Sequence, residues 1–379
     1  MIYPSNIKLQ KIIYMPRAHL IILFSILSFS VFTILLIMDG NINIAIKQLI
    51  RIFIALIAMA IGCVIDVKIW KKYAFHIYCI CILLLLVVTM AGKSAMGAKR
   101  WISIASLTFQ PSELAKISIV FILASYYSNK SLEFNRHNRS LIVPVVLTAI
   151  PVAIVCKQPD LGTAILLLLI AISILFFVNV QIWKFLSGIA LITIMSPIIW
   201  ARLHPYQKQR ILIFLNPEID ALGHGYHIMQ SKIALGAGGT FGTTLNHGTQ
   251  CNLNFLPEKQ TDFIFAAIGE HFGICGCLIL VALYMALIIG NFTILFNTKD
   301  KFQMIIIFAF NAILFFYASI NILMVCGLAP VVGIPLPLFS YGGSSLLTLL
   351  SCQGIIFSCH ADRVYHDKNI SLVSHAKEI

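Results

Sequence analysis

Acidic residues are what this chain of 379 residues has least of: 14 Asp plus Glu stand against 27 Lys plus Arg, and only 11% of positions are charged. Ordinary globular domains carry about 25% charged and roughly 45–50% apolar residues. Here the hydrophobic share is 59%, which excludes a soluble enzyme of this size. A disulfide framework is also lacking. Nine of the ten cysteines fall in or beside apolar runs, only Cys251 lies in a long polar segment, and neither C-x-C pair has zinc-finger spacing. They read as small buried hydrophobes. There is no G-x-x-x-x-G-K-[ST] phosphate loop. The basic residues are scattered through loops, so the net charge of +13 reads as membrane topology and lipid contact, with no nucleic-acid partner. No small-residue cleavage site follows the mostly polar first 18 residues, so no removed signal peptide is expected.

What is present is hydrocarbon-compatible sequence. Ten apolar runs, residues 20–38, 49–65, 74–91, 112–128, 141–156, 161–180, 184–202, 264–292, 303–326 and 342–360, each approach the ~20 residues that a membrane-crossing helix needs. The fifth and sixth are divided only by Lys157 to Asp160, where Pro159 is expected to break a continuous helix. The chain is therefore expected to be an all-α polytopic membrane protein, a single domain over 1–379. Ten transmembrane helices are expected, with a large extracytoplasmic loop, residues 203–261, between helices 7 and 8. With the N-terminus inside, the cytoplasmic segments hold 15 Lys and Arg, and the short outer loops hold five: Lys47, Lys93, Lys99, Arg100 and Lys157. Both termini are then cytoplasmic. Trp70, Trp101, Trp183 and Trp200 fall at or near helix ends or in loops, as an interfacial belt does.

Against this background each acid can be weighed singly. Asp66, Glu133, Asp300, Asp362, Asp367 and Glu378 are cytoplasmic or in the tail, where solvation explains them. The others are Asp39, Glu113, Asp160, Glu218, Asp220, Glu258, Asp262 and Glu270. Glu113, Asp160, Glu258 and Asp262 sit where an outer face meets a helix end and could converge on one extracytoplasmic cavity. Glu113 and Lys116 are three apart, so they share a helix face as an ion pair that is either functional or merely self-neutralising. Arg51, just inside the second span, reads as snorkelling. Glu258, Asp262 and Glu270 would share a face if that segment were helical throughout. Asp262 could be a helix cap, but the flanking Phe263, Ile264 and Phe265 would desolvate it and raise its pKa toward a base's working range.

The glycine-rich stretch Gly223 to Gln250 would allow close backbone approach to a ligand. His224 and His227, with His204 and His247, make only a weak metal-binding case. VVGIPLPLFSYGGSS, Val331 to Ser345, suggests a re-entrant or unwound element lining a cavity.

The motifs GAKRWI with FQPSELAK, KQPDLGTA, FLPEKQTDFIF and GIPLPLFSYGGSS resemble, in order and spacing, those of the SEDS proteins of bacterial cell elongation and division. The match spans nearly the whole chain. GYHIMQSKIALGAGG and HGTQCNLNFLPE look like the RodA-type, elongation branch rather than the FtsW-type division branch. Gln260 stands where the family commonly has His, and Ala237 where Ser is usual.

The resemblance implies a peptidoglycan glycosyltransferase that polymerises lipid II on the outer face of the bacterial cytoplasmic (inner) membrane. Its implied partners are a class B penicillin-binding protein transpeptidase, the elongation machinery and membrane lipids. The family's essential aspartate carries over to Asp262, its ion pair to Glu113 and Lys116, and its QPDLGT aspartate to Asp160. For the substrate's diphosphate, Arg100, Arg210 and Lys259 are the candidate cations on the outer side, with Lys116 as a further one, and Glu258 lies beside Asp262. A divalent cation, Mg or Mn, could bridge phosphate and carboxylate, although no protein-only metal cage is visible. The rival reading is a transporter that flips a lipid-linked precursor. A scaffold that recruits other wall enzymes would leave the intramembrane charges unexplained.

Overall fold

The structure is a computed structural model that describes residues 15–37, 42–95, 98–104, 107–220, 223–243, 249–252, 255–256 and 258–375. Asp39, His247 and Glu378 lie outside the described residues, as does the side chain of His224. Three apolar helices open the chain: α1 (Arg17–Ile37), α2 (Ile42–Val64) and α3 (Val67–Ala91). Asp66 starts α3 by accepting the Lys68 N–H at 3.0 Å, the usual service of a short acidic side chain at an N-cap.

The all-α expectation holds for the body of the molecule, with one small exception. A small antiparallel sheet follows, β1 (Lys93–Ala95), β2 (Ala98–Ile104) and β3 (Leu107–Phe109), with Ile102 opposite Phe109 and Ile104 opposite Leu107. Its strands are too short to announce themselves as a periodic pattern, but the sheet carries Arg100.

β3 leads into α4 (Pro111–Ser128), with Pro111 in the first turn, where its missing N–H costs nothing. Buried residues occupy 14 of its 18 positions, so α4 is enclosed by other helices rather than by lipid. Short α5 (Leu132–Arg136), α6 (Arg139–Lys157), α7 (Leu161–Phe177) and α8 (Ile182–Arg202) follow. No described residue of α8 is buried, and a Cβ added at Gly188 would meet nothing within 4 Å. The long polar segment contains α9 (Pro205–Leu215), a 3-10 turn (Pro217–Asp220), α10 (His224–Ala237) and α11 (Thr249–Asn252). The chain closes with α12 (Ile264–Phe296), α13 (Lys301–Val325) and α14 (Gly343–His375).

Each of the ten apolar runs falls on one of these helices. Seven of them, α1, α2, α3, α6, α12, α13 and α14, are long and apolar enough to cross a membrane, and α7 and α8 are apolar but shorter. The molecule is a multi-pass, mainly helical membrane protein.

α12 is not one straight helix. Gly273 has φ +67°, a left-handed conformation that glycine adopts without penalty, and it breaks the helix there. The amides beyond the break donate outside the helix: Ile274 N–H to the Gly239 carbonyl (3.0 Å) and Cys275 N–H to the Thr240 carbonyl (3.1 Å). In return Thr243 N–H donates to the Glu270 carbonyl at 2.9 Å. The loop after α10 thus replaces a missing turn of α12. A Cβ at Gly238 would lie 1.8 Å from the Gly269 carbonyl oxygen. Of the glycines read from sequence as room for a ligand, Gly238 and Gly242 give room for this backbone contact.

Between α13 and α14 the chain is unwound yet buried, with Val331, Ile334, Leu336, Leu338 and Phe339 all in the core. Irregular backbone at membrane depth must find its hydrogen bonds within the protein. The Pro337 carbonyl accepts from the Tyr284 hydroxyl at 2.5 Å, the Phe339 carbonyl from Ser30 Oγ at 2.8 Å, and Leu336 N–H donates to Ser340 Oγ at 2.8 Å. The expected unwound element is present.

Candidate active site

The turn that precedes α12 is held from both ends. Glu258, at φ +51°, begins it, and its carbonyl accepts from the N–H groups of Thr261 (3.1 Å) and Phe263 (3.3 Å). The unwound segment clips the other side: Ser340 Oγ donates to the Thr261 carbonyl at 2.6 Å and Tyr341 N–H to the Gln260 carbonyl at 2.9 Å. Asp262 is thereby fixed over Gly333, whose added Cβ would stand 3.4 Å from Asp262 Oδ2. Phe263, Ile264 and Phe265 beyond it are buried.

The Asp262 side chain keeps partial contact with solvent while protein surrounds it on most sides. Desolvation raises its pKa from the usual carboxylate value to about 6. The neighbouring charge of Glu258 adds to the rise, and Arg210 opposes it. Glu258 itself is exposed, and its carboxylate accepts from the Thr261 hydroxyl at 2.8 Å.

Arg210, on α9, joins Asp262 to the second carboxylate. Burial and the charge of Arg100 lower its pKa, while Tyr206, Asp160 and Asp262 pull the other way. Arg210 therefore lies within electrostatic reach of both aspartates and of Arg100. Asp160 caps α7, accepting from Thr163 N–H at 3.3 Å and Thr163 Oγ1 at 2.9 Å. Gln110 Nε2 donates to it at 3.2 Å, and an Arg100 guanidinium nitrogen is 3.8 Å away. Arg100 also donates to the carbonyls of Gln158 (3.4 Å) and Pro159. The β2 strand is thus tied to the α6–α7 corner. Tyr206, which the sequence did not single out, completes this group: burial raises its pKa, and Arg100 and Arg210 lower it.

Other expected members are elsewhere. Glu113 does not join this group. It is 5% exposed, its Oε1 is 2.6 Å from Lys116 Nζ, and both of its oxygens accept from the Tyr317 hydroxyl of α13 (2.8 and 3.0 Å). Lys116 is 0% exposed and also donates to Tyr317, so it cannot meet a diphosphate arriving from outside. Lys259 is buried with its ammonium 2.6 Å from the Cys251 carbonyl, turned toward the outer segment. Glu270 does not share a face with Glu258 and Asp262, because residues 258–263 form a turn. Its carboxylate accepts the Gln250 and Cys251 N–H groups at 2.7 and 2.9 Å, which anchors α11. Arg51 is engaged rather than snorkelling, lying 3.9 Å from the centroid of the Tyr341 ring. Among the described residues no group of three or more His, Cys, Asp or Glu could hold a metal.

The arrangement is a carboxyl with a near-neutral pKa within electrostatic reach of Arg210, which is itself coupled to Arg100. It suits proton abstraction next to a phosphate-bearing substrate.

Comparison with known proteins agrees. The profile of the cell cycle protein family FtsW, RodA and SpoVE matches residues 10–365. The chain is 38% identical over 361 residues to the peptidoglycan glycosyltransferase MrdB of Escherichia coli K12, covering 94% of this chain and 96% of that one. It is 37% identical over 306 residues to a probable peptidoglycan glycosyltransferase FtsW of Buchnera aphidicola, covering 79% and 80%. A chain of a solved peptidoglycan synthase complex, studied for its coordination of polymerization and crosslinking, superposes with TM-score 0.80 at 26% identity, covering 92% and 98%. The rod shape determining protein RodA of Thermus thermophilus shares the fold, with TM-score 0.69 at 22% identity over 92% and 97%.

Proposed function

The chain belongs to the FtsW, RodA and SpoVE family of cell cycle proteins and is a peptidoglycan glycosyltransferase of the inner membrane, and we propose that it polymerises lipid II into β-1,4-linked glycan strands during cell elongation. Ten spans cross the bilayer in this reading, both termini are cytoplasmic, and residues 203–261 face outward between spans 7 and 8. Asp262 then lies on the side where the lipid-linked disaccharide is used.

Asp262 is the general base. It takes the proton from the 4-hydroxyl of the acceptor N-acetylglucosamine, and that oxygen bonds to C1 of the donor from the face opposite the diphosphate. The C1–O bond to the undecaprenyl diphosphate breaks, its electron pair leaves with the phosphate, and the configuration inverts. A diphosphate is already a good leaving group, so one base suffices where a glycoside hydrolase needs two carboxyl groups. Arg210 and Arg100 neutralise the charge that develops on the diphosphate. Asp160 contributes by holding Arg100 and the α6–α7 corner, since its oxygens are already occupied by Thr163 and Gln110. Glu258 tunes Asp262, and the Glu113–Lys116 pair with Tyr317 braces α4 against α13. The donor set does not form a cage for a resident ion, so a magnesium or manganese ion would arrive with the diphosphate, and no step here depends on it. A class B transpeptidase that crosslinks the new strand is the partner the family reading implies.

The observation that carries this reading is the Asp262 carboxyl held on a clamped turn beside Gly333 and within electrostatic reach of Arg210. The test is polymerisation of labelled lipid II by purified protein. Asp262→Asn is expected to lose at least about 100-fold, the contribution of a positioned base. Equal polymer from a folded variant would remove Asp262 from that role.

A further inference from the structure

Asn321 was not singled out by sequence because it sits in the middle of an apolar run on α13. Its carboxamide is 0% exposed, and Nδ2 donates to two carbonyls distant in sequence: Asp262 at 2.9 Å and Ile334 at 2.7 Å. Both hydrogens of one amide are thus spent on binding the turn that carries Asp262 to the unwound segment that faces it. Its Oδ1 has no hydrogen-bond partner and is buried. A position that served packing alone would be better filled by leucine, which buries no unpaired acceptor.

One helical turn earlier on the same face of α13 is Tyr317, held by Glu113 and Lys116. The helix is therefore fixed to α4 at one level and to the Asp262 turn at the next. Serine has one hydrogen to give and aspartate has none in its ionised form, so only a carboxamide of this length holds both carbonyls.

We infer that Asn321 is the positioning residue for Asp262, joining its backbone to Ile334 so that the carboxyl stays over Gly333 at the depth set by the Tyr317 contact. This rests on the reading of Asp262 as the base. Loss of the two bonds lets the turn relax toward water, which lessens the desolvation of the carboxyl and displaces it from the acceptor hydroxyl. Misplacement by about 1 Å can cost 10²-fold in rate.

The experiment measures lipid II polymerisation across pH for wild type, Asn321→Leu, Asn321→Ser and Asn311→Leu. Asn311 is a control on the same helix, about 15 Å away along the axis. It is a buried amide that bonds Asn291 and the Ile288 carbonyl. Asn321→Leu is expected to lower kcat by about 10- to 100-fold, to leave KM within about twofold, and to move the acid limb of the pH profile below 6. Asn311→Leu lowers the melting temperature but keeps kcat and the limb. Asn321→Ser, with one donor left, lies between, and it decides the matter if the leucine variant does not fold. An unmoved limb and wild-type kcat in the Asn321 variants overturns the inference, as does an equal change in Asn311→Leu. Asp262→Asn, run alongside, separates the two readings. If it is inactive while Asn321→Leu is normal, only this inference fails. If it is fully active, the base reading falls and takes this one with it.

Discussion

Asp262 is placed at a cost to folding that its pKa makes measurable. An aspartate whose folded pKa is about 6, against 3.8 when unperturbed, binds a proton more tightly folded than unfolded. Between those values the native state holds more protons, so stability falls as pH rises from about 4 to 6 and stays lower above it. Two outcomes follow at this one side chain. Polymerisation should decline about tenfold per pH unit below 6, as the base is protonated. Asp262→Asn should melt a few degrees above wild type at pH 8, and the difference should vanish at pH 4; a variant that melts lower at pH 8 would contradict the burial argument. The residue itself was legible in sequence, because a carboxylate before Phe-Ile-Phe in a chain with few acids has few bland explanations. Tyr206, Tyr317 and Asn321 were not legible, since each has a defining partner far off in sequence: Arg100, Glu113 and Asp262. The Glu113–Lys116 ion pair expected from their spacing is present, but sequence could not show that Lys116 also meets Tyr317 or that Lys259 reaches the Cys251 carbonyl.

At the level of elements, the break in α12 governs how the outer segment is attached. Without Gly273 the helix would run 33 residues, roughly 50 Å and longer than a bilayer core. With it, the part from residue 274 onward spans roughly 35 Å. The glycines on either side separate cleanly by what a methyl group would strike. Gly238→Ala places Cβ against the Gly269 carbonyl and should destabilise by about 1–3 kcal/mol. Gly236→Ala, with nothing within 4 Å, should gain up to about 1 kcal/mol from helix propensity. Thermal unfolding in detergent distinguishes them, and equal shifts would refute the proposed backbone contact. Sequence showed the density of glycine but not its target, because Gly238 to Thr243 and Gly269 to Cys275 meet only in three dimensions. The sheet was missed because two of its strands have only three residues each, which leaves no period to detect.

For the molecule as a whole, the apolar runs were legible because hydrocarbon imposes a contiguous demand on sequence, whatever the helices pack against. Which helices face lipid was not, and α4 and α8 mark the extremes. α4 is enclosed and carries a buried ion pair. No described residue of α8 is buried, and at its start the half-buried Phe185 packs on the core and against the Phe176 ring, at 6.3 Å between centroids. A helix that buries so little has little preferred face to conserve. Saturation mutagenesis of residues 183–200, read by rod-shaped growth, should therefore give a tolerance profile without a 3.6-residue rhythm: any apolar exchange accepted, charges rejected in the middle, and neither outcome dependent on side-chain volume. The information stored in that helix is its oil-solubility alone, and drift through it over generations would be nearly neutral.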